Sequence, residues 1–536
     1  MLSTRSLTFC PVLTLLAAIL VVVFSSTTIA QETEQPLNIL YIMADDHAAK
    51  AVGAYDTMLS PLNPTPTLDR LADEGMLFEH LYATNSLCMP IRATLMSGEH
   101  SHRNGIRIIS HFDVHTETPL MQDAIRPEKQ LMPRTVQAMG YETAVIGKWH
   151  LVAEPVGFDY YNVLGGQGRY MNPLLKEKGV EAWRPDRLGG IEREGHVTDI
   201  ITNEALDWLE NRSAGDEKPF FLMLHYKAPH DMYENAPRYD EYLEDVEIPE
   251  PKSLWERGNH GPIERPQYSS SIGRRSPRKL GRSLGIDASL SDDEFKHEAY
   301  QYYLKRYLRC VKGIDDNLAR VFAYLEESGQ WDNTVILYTS DQGMLLGEHD
   351  YQDKRWIYEE SIHMPLIIRC PGVTEPGSRC DALTTNIDWA PTLIDLAGGE
   401  IPDLMQGRSM VPLMAGERPD DWPTDMYYRY WMHMAHGHDV PAHFGVRTER
   451  YKLAFFYGLP LGLTHAPYDE RPTEPHWEFY DLEVDPTEMN NLYESEQHAK
   501  IIAELKDRLL ELREHYGDTD EEYPEVLEVM REHWED

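Results

Sequence analysis

The sequence predicts an α/β fold, a large and mostly parallel sheet sandwiched by helices, with a smaller C-terminal α+β domain built on an antiparallel sheet. Three observations carry this prediction. From residue 37 to about residue 400, short apolar runs alternate with segments of helical periodicity. The runs are continuously apolar, as strands buried on both faces require. After about residue 435 the texture changes to hairpin-like segments and one amphipathic helix. The expected division is therefore residues 31–435 and 436–536, preceded by a leader over 1–30.

Taken in order, Leu37–Ala44 is a buried strand that runs into Asp45-Asp46. Helical spacing follows over Leu68–Met76, behind Pro64 and Pro66, and again over Leu131–Met139. Glu142–Ile146 and Phe220–His225 read as strands, and Asp292–Ser328 as one long helix. The strand Thr334–Thr339 ends in Ser340-Asp341-Gln342; strand Pro365–Arg369 and helix Asp388–Ala397 complete the alternation. In the C-terminal part, Phe444–Phe456 and Trp477–Leu482 read as hairpin strands and Glu494–His515 as a helix, before an acidic tail read as solvated.

Bulk properties narrow the function. Met1–Ala30 has one basic residue, Arg5, an apolar run Leu15–Phe24 and the ending Thr28-Ile29-Ala30, the pattern of a secretory signal cut before Gln31. No later stretch is long and apolar enough for a bilayer, so the expectation is an exported protein, periplasmic or secreted, with no membrane span in the mature chain. Net charge is −39, and −40 once Arg5 is lost. That balance excludes nucleic acid as a general partner, and an anionic substrate then needs a local basic pocket. Four cysteines remain after Cys10 leaves with the leader, too few for a disulfide scaffold; Cys370 and Cys380, flanking a Pro/Gly-rich turn, could pair in an oxidising compartment.

Two acidic pairs follow predicted strands, Asp45-Asp46 and Asp341-Gln342. Three carboxylates and an amide oxygen form a hard-oxygen set suited to Ca²⁺, less so to Mg²⁺, and poor for zinc. One such pair alone reads as a cap or turn, but two at equivalent strand ends point to a cation, which offsets the cost of gathering like charges.

The segment Ser86-Leu87-Cys88-Met89-Pro90-Ile91-Arg92, followed by Ser97-Gly98, resembles the signature of formylglycine-dependent sulfatases of the alkaline phosphatase superfamily. Further blocks resemble the same family, in order: Gly147-Lys148-Trp149-His150, Ala228-Pro229-His230, Thr339–Gly343 through Leu346–His349, Lys354 with Tyr358–Ser361, and Tyr480-Asp481-Leu482 with Asp485-Pro486. Ile91 departs from the usual Ser or Ala, Ser97 from Thr, and Gln342 from Asn.

The resemblance implies an alkaline-phosphatase-like fold, sulfate ester hydrolysis, and oxidation of Cys88 to formylglycine by a formylglycine-generating enzyme. It implies metal ligands at Asp45, Asp46, Cys88, Asp341 and Gln342, with Asp341 also accepting a proton. Lys148 and Lys354 would hold sulfate oxygens, Arg92 would orient residue 88, His230 would protonate the leaving alcohol and His150 would act as base. His225, His349 and His363 read as structural. Gly157–Tyr161, Gly166-Gln167-Gly168 and Tyr170–Pro173 are similar to segments of carbohydrate sulfatases, so a sulfated carbohydrate is the expected substrate, including N-acetylglucosamine-6-sulfate. A phosphatase, phosphodiesterase or phosphonate hydrolase of the same superfamily, or a non-catalytic carbohydrate-binding relative, are the alternatives. One stretch, with Arg265, Arg274, Arg275, Arg278, Lys279 and Arg282 and no acidic residue, would attract a polyanionic sugar if it is not merely a solvated loop.

Overall fold

The computed structural model describes residues 36–109, 112–113, 118–119, 124–185, 188–212, 218–259, 261, 263, 271–273, 285–287, 289–435, 438–463 and 471–536. Residues 1–30, read above as a leader, and the six basic residues from Arg265 to Arg282 lie outside them.

The core of the main sheet is parallel. Asn38–Asp45 lies at its centre, with Thr334–Ser340 on one side and Phe220–Pro229, Glu142–Lys148 and Tyr160–Leu164 on the other. His363–Arg369 and Met76–Tyr82 continue the first side antiparallel, and Leu174–Glu177 extends the second. Side chains of the central strand alternate between two apolar cores, as a period of two demands. Ile39, Tyr41 and Met43 enter one, and Leu40, Ile42 and Ala44 the other. Helices Cys88–Ser97, Leu131–Ala138 and Trp389–Leu396 cover the first face; Pro66–Asp73, Val197–Asn211 and Asp292–Glu327 cover the second. The sandwiched, mostly parallel sheet expected from the apolar runs is the architecture observed.

A four-stranded antiparallel sheet follows, in the order Asp425–Tyr430, His443–Thr448, Tyr451–Phe456, His476–Asp481. Helices Ala499–Tyr516 and Pro524–His533 pack on it through Leu505, Leu509 and Val526. Its first strand begins upstream of residue 436, so the expected boundary falls in the loop between its first two strands.

Two local expectations are corrected, and a third point, left open by the sequence, is decided. The helix over Leu68–Met76 stops at Asp73, because the chain must turn back onto the sheet; a Cβ on Gly75 would lie 2.5 Å from the Ile368 carbonyl oxygen, and Met76 already belongs to a strand. The acidic tail is not simply solvated, since Asp518 and Asp520 are buried ion-pair partners and Pro524–His533 is helical. Cys370 and Cys380 are both free. They follow or end strands on opposite sides of Met76–Tyr82, and two interstrand spacings, about 9–10 Å, exceed the reach of a disulfide.

Candidate functional site

Polar groups converge where the parallel strands end. Asp45 closes the central strand, Asp341 follows Ser340, Lys148 closes its strand and His230 follows Pro229, so all four stand at the carboxyl edge of the sheet. The Asp341 amide donates to the Ala44 carbonyl at 3.1 Å, and the Asp46 amide to Asp341 Oδ1 at 3.1 Å, which joins the two acidic turns. Tyr307, on the long helix beneath, pins the first turn: its hydroxyl donates to the Asp46 carbonyl at 2.7 Å and accepts from the Ala48 amide at 2.8 Å.

The backbone bends sharply here. Asp46 and His150 hold φ of 68° and 56°, and Asp353 and Arg355, either side of Lys354, hold 130° and 91°. Non-glycine residues occupy this region at a cost and concentrate at functional sites. Gly147 is required for the same reason: at φ 105°, a Cβ would sit 1.9 Å from the His225 carbonyl oxygen.

Cys88 begins the fully buried helix Cys88–Ser97. Arg92 lies one turn on and therefore on the same face. Its Nε and one terminal nitrogen donate to Asp341 Oδ2 at 3.1 and 2.8 Å, and the other donates to the Lys148 carbonyl at 2.8 Å. Burial alone would raise the Cys88 thiol, but Lys148 and His150 overcome it and hold the group well below the usual thiol range. His150 and His230 both reach the sulfur.

The carboxylates divide the charge between them. Burial opposes ionisation of Asp45, yet Lys148, His230 and Arg92 keep it well below the usual range; burial and Asp45 push Asp341 well above it. Lys148 bonds Asp45 and, at 2.6 Å, Gln167 Oε1; Lys354 bonds both oxygens of Asp46. Each ammonium has three donors and can bridge a carboxylate and a further anion. His230 presents Nε2 at 3.8 Å from Asp46 Oδ2. Burial pulls its basicity down, but Asp45 and then Asp46 raise it to about 9. His225, by contrast, is held by burial and Arg92 at about 3, neutral against the Lys148 carbonyl.

The donor set accommodates a hard cation. Oxygens of Asp45, Asp46 and Asp341 lie within 4.8 Å of one another. Gln342 Oε1 and Asp45 Oδ1 are buried without a hydrogen-bond partner among the described residues, although Gln342 itself donates to Asp46. Two orphaned acceptors among three carboxylates are the arrangement a Ca²⁺ ligand shell satisfies.

All ten residues singled out from the sequence, at positions 45, 46, 88, 92, 148, 150, 230, 341, 342 and 354, meet in this one buried site. Sequence reasoning missed the groups around Lys354. Asp353 accepts from Arg355 Nε at 3.1 Å and pairs with His438; Arg355 donates to the Tyr430 hydroxyl at 3.2 Å. Burial opposes the Asp353 charge, but His438 and Arg355 hold it well below the usual range. No sequence pattern joins positions 353, 355 and 438. The backbone reversal that presents them has no local signature.

Residues 37–399 match a family model described as sulfatase, and residues 347–515 one described as N-sulphoglucosamine sulphohydrolase, C-terminal. The chain is 36% identical to an N-acetylglucosamine-6-O-sulfatase of Bacteroides thetaiotaomicron, over 93% of this chain and 89% of that protein. Human N-acetylglucosamine-6-sulfatase is 27% identical over 75% of this chain and 68% of its own. A solved structure of a complex with the substrate D-glucosamine-2-N,6-O-disulfate superposes with a TM-score of 0.77 and 34% identity, covering 90% of this chain and 99% of that one. A phosphonate monoester hydrolase from Silicibacter pomeroyi, 22% identical, shares the fold with a TM-score of 0.67 over 90% of this chain and 96% of that one.

Proposed function

The chain belongs to the sulfatase family and is a sulfuric ester hydrolase, and on that premise we propose that it removes 6-O-sulfate from glucosamine residues of a sulfated carbohydrate after export, using calcium and a formylglycine made from Cys88. One observation carries the mechanistic part: four metal-ligand candidates, two lysines and two histidines gather around the side chain of residue 88 in one buried site. The glucosamine part rests on the names of the two N-acetylglucosamine sulfatases and on the substrate of the solved complex.

Asp45, Asp46, Asp341 and Gln342 would hold the calcium ion, with residue 88 completing the shell; the Cys88 sulfur stands in for the oxygen that a formylglycine would carry there. When present, the cation supplies fixed positive charge and the formylglycine a hydroxyl nucleophile. The rest is work for the chain's own side chains. Arg92 fixes Asp341 by two bonds and the Lys148 carbonyl by a third, so the strand ends cannot drift apart. Lys148 and Lys354 neutralise non-bridging sulfate oxygens with donors not spent on Asp45 and Asp46. His230 gives a proton from Nε2 to the departing sugar oxygen. His150 reaches position 88 and accepts a proton there. Asp353, Arg355 and His438 offer a carboxylate acceptor and two nitrogen donors beside Lys354, suited to adjacent hydroxyls of a hexose ring.

The test uses full-length protein made with a formylglycine-generating enzyme. Residue 88 should have the mass of formylglycine, and inorganic sulfate should be released from N-acetylglucosamine-6-sulfate. A chelator should abolish turnover and Ca²⁺ restore it. Protein that carries formylglycine at position 88 and is loaded with calcium, yet frees no sulfate from any 6-sulfated glucosamine, would refute this reading.

A further inference from the structure

The proposed reaction uses one nitrogen of His230, and the other faces a group with no part in it so far. Nδ1 lies 2.8 Å from the backbone carbonyl oxygen of Asp231 and 2.7 Å from its Oδ1. Both are acceptors, so Nδ1 carries hydrogen whatever the charge of the ring. Nε2, which faces Asp46 and residue 88, is left as the nitrogen whose proton is exchanged. The carbonyl alone would set this tautomer. What the carboxylate adds is a second acceptor on the same nitrogen, which fixes the plane and direction of the ring. The Asp231 side chain is 17% exposed, so water screens the pair only in part. The main chain that carries the ring is anchored as well, because the His230 backbone carbonyl accepts from the Tyr170 hydroxyl.

We propose that Asp231 is a positioning residue that orients the His230 ring, with its Nε2 proton directed at the departing sugar oxygen. The inference rests on His230 being the acid of the reaction. As the S–O bond breaks, its electron pair stays on the sugar oxygen and the Nε2 proton joins it. The products at that end are a neutral alcohol and a neutral ring still hydrogen-bonded through Nδ1 to Asp231, while the sulfuryl group goes to the nucleophile at position 88. A sugar alkoxide is a poor leaving group and needs this proton; 4-nitrophenolate does not.

Fully matured, calcium-loaded wild type, Asp231→Ala, Asp231→Asn and His230→Gln are compared on N-acetylglucosamine-6-sulfate and on 4-nitrophenyl sulfate. Asp231→Ala is expected to lose kcat on the sugar by about 10- to 100-fold with KM little changed, and to lose far less on the aryl ester, with Asp231→Asn falling between it and wild type. Asp231→Asn keeps the shape and a weaker, neutral acceptor, so it serves even where Asp231→Ala unfolds. A second readout needs no turnover. In ¹⁵N-histidine spectra the Nδ1 proton assigned by its loss in His230→Gln should be downfield in wild type and move upfield in Asp231→Asn. If His230→Gln is selective for the sugar while both Asp231 variants match wild type, this inference fails alone. If His230→Gln impairs both esters equally, the assignment of His230 as acid fails first.

Discussion

At the scale of single residues, the site is a problem in crowding charge. Three carboxylates, two lysines, an arginine and two histidines share a volume from which water is nearly excluded, and each is tolerable only because a partner of opposite sign lies beside it. Lys354 shows how finely this is set, since it is presented by a turn whose flanking residues both sit at positive φ and are themselves ion-paired. If Asp353 contacts the sugar, Asp353→Asn removes a charged acceptor from adjacent hydroxyls. KM for N-acetylglucosamine-6-sulfate should then rise by about 10- to 100-fold, the loss of one charge-assisted hydrogen bond of about 1.5–3 kcal/mol, with 4-nitrophenyl sulfate spared. Equal losses on both esters would mean that Asp353 only holds Lys354 in place. The ten metal and catalytic candidates were legible because each lies in a short motif next to a strand end. Asp353, Arg355 and His438 were not, because a loop from the C-terminal half completes them and only the folded chain brings them together.

At the scale of elements, legibility follows burial. Strands such as Asn38–Asp45 and Thr334–Ser340 are apolar on both faces and stand out, whereas Met76–Tyr82 carries Glu79 and His80 mid-strand and loses the signal. The long helix Asp292–Glu327 was legible from its period, but its duties were not. It pins the Asp45-Asp46 turn through Tyr307, and through Asp315 it caps a second helix, accepting from the Thr67 and Leu68 amides at 3.0 Å each. Burial raises Asp315 to about 6 although those amides pull the other way. A folded-state value above the unfolded one means that this contribution to stability is complete below about pH 4 and is lost as pH rises through about 6. Asp315→Asn keeps Oδ1 for both amides and does not titrate. Urea unfolding of the two proteins at about pH 4 and about pH 7.5 should therefore show the variant gaining on wild type by about 2–3 kcal/mol across that interval. A difference that does not change with pH would show that Asp315 is ionised at its usual value.

At the scale of the whole molecule, the C-terminal sheet is part of the frame of the site. Its first strand donates from the Arg429 amide to the Thr84 carbonyl at 3.0 Å, just before Cys88, and from the Tyr428 hydroxyl to the Arg355 carbonyl at 2.6 Å, just after Lys354. That strand is fastened in turn to the end of the chain. Arg429 donates to Asp518 Oδ1 at 2.8 Å and to Asp520 Oδ1 at 2.7 Å, beneath the Trp431 ring at 3.5 Å, and Arg513 shares Asp520. Burial opposes the charge on Asp518, but Arg429 and His102 hold it well below the usual range, so its contribution is present at neutral pH and lost only on strong acidification. Arg429→Met preserves most of the volume and leaves Asp518 short of its main partner and Asp520 short of one of two arginines, a loss of about 3–5 kcal/mol. The expected result is a marked fall in melting temperature. Calcium affinity and kcat should weaken at temperatures where the protein is still folded, because Thr84 and Arg355 lose a rigid backing. Adding Asp518→Asn to Arg429→Met should recover part of the stability by removing one stranded charge. Calorimetry alongside calcium titration separates the two effects. A variant that melts early yet binds calcium and turns over like wild type would show that the tail stabilises the fold without framing the site.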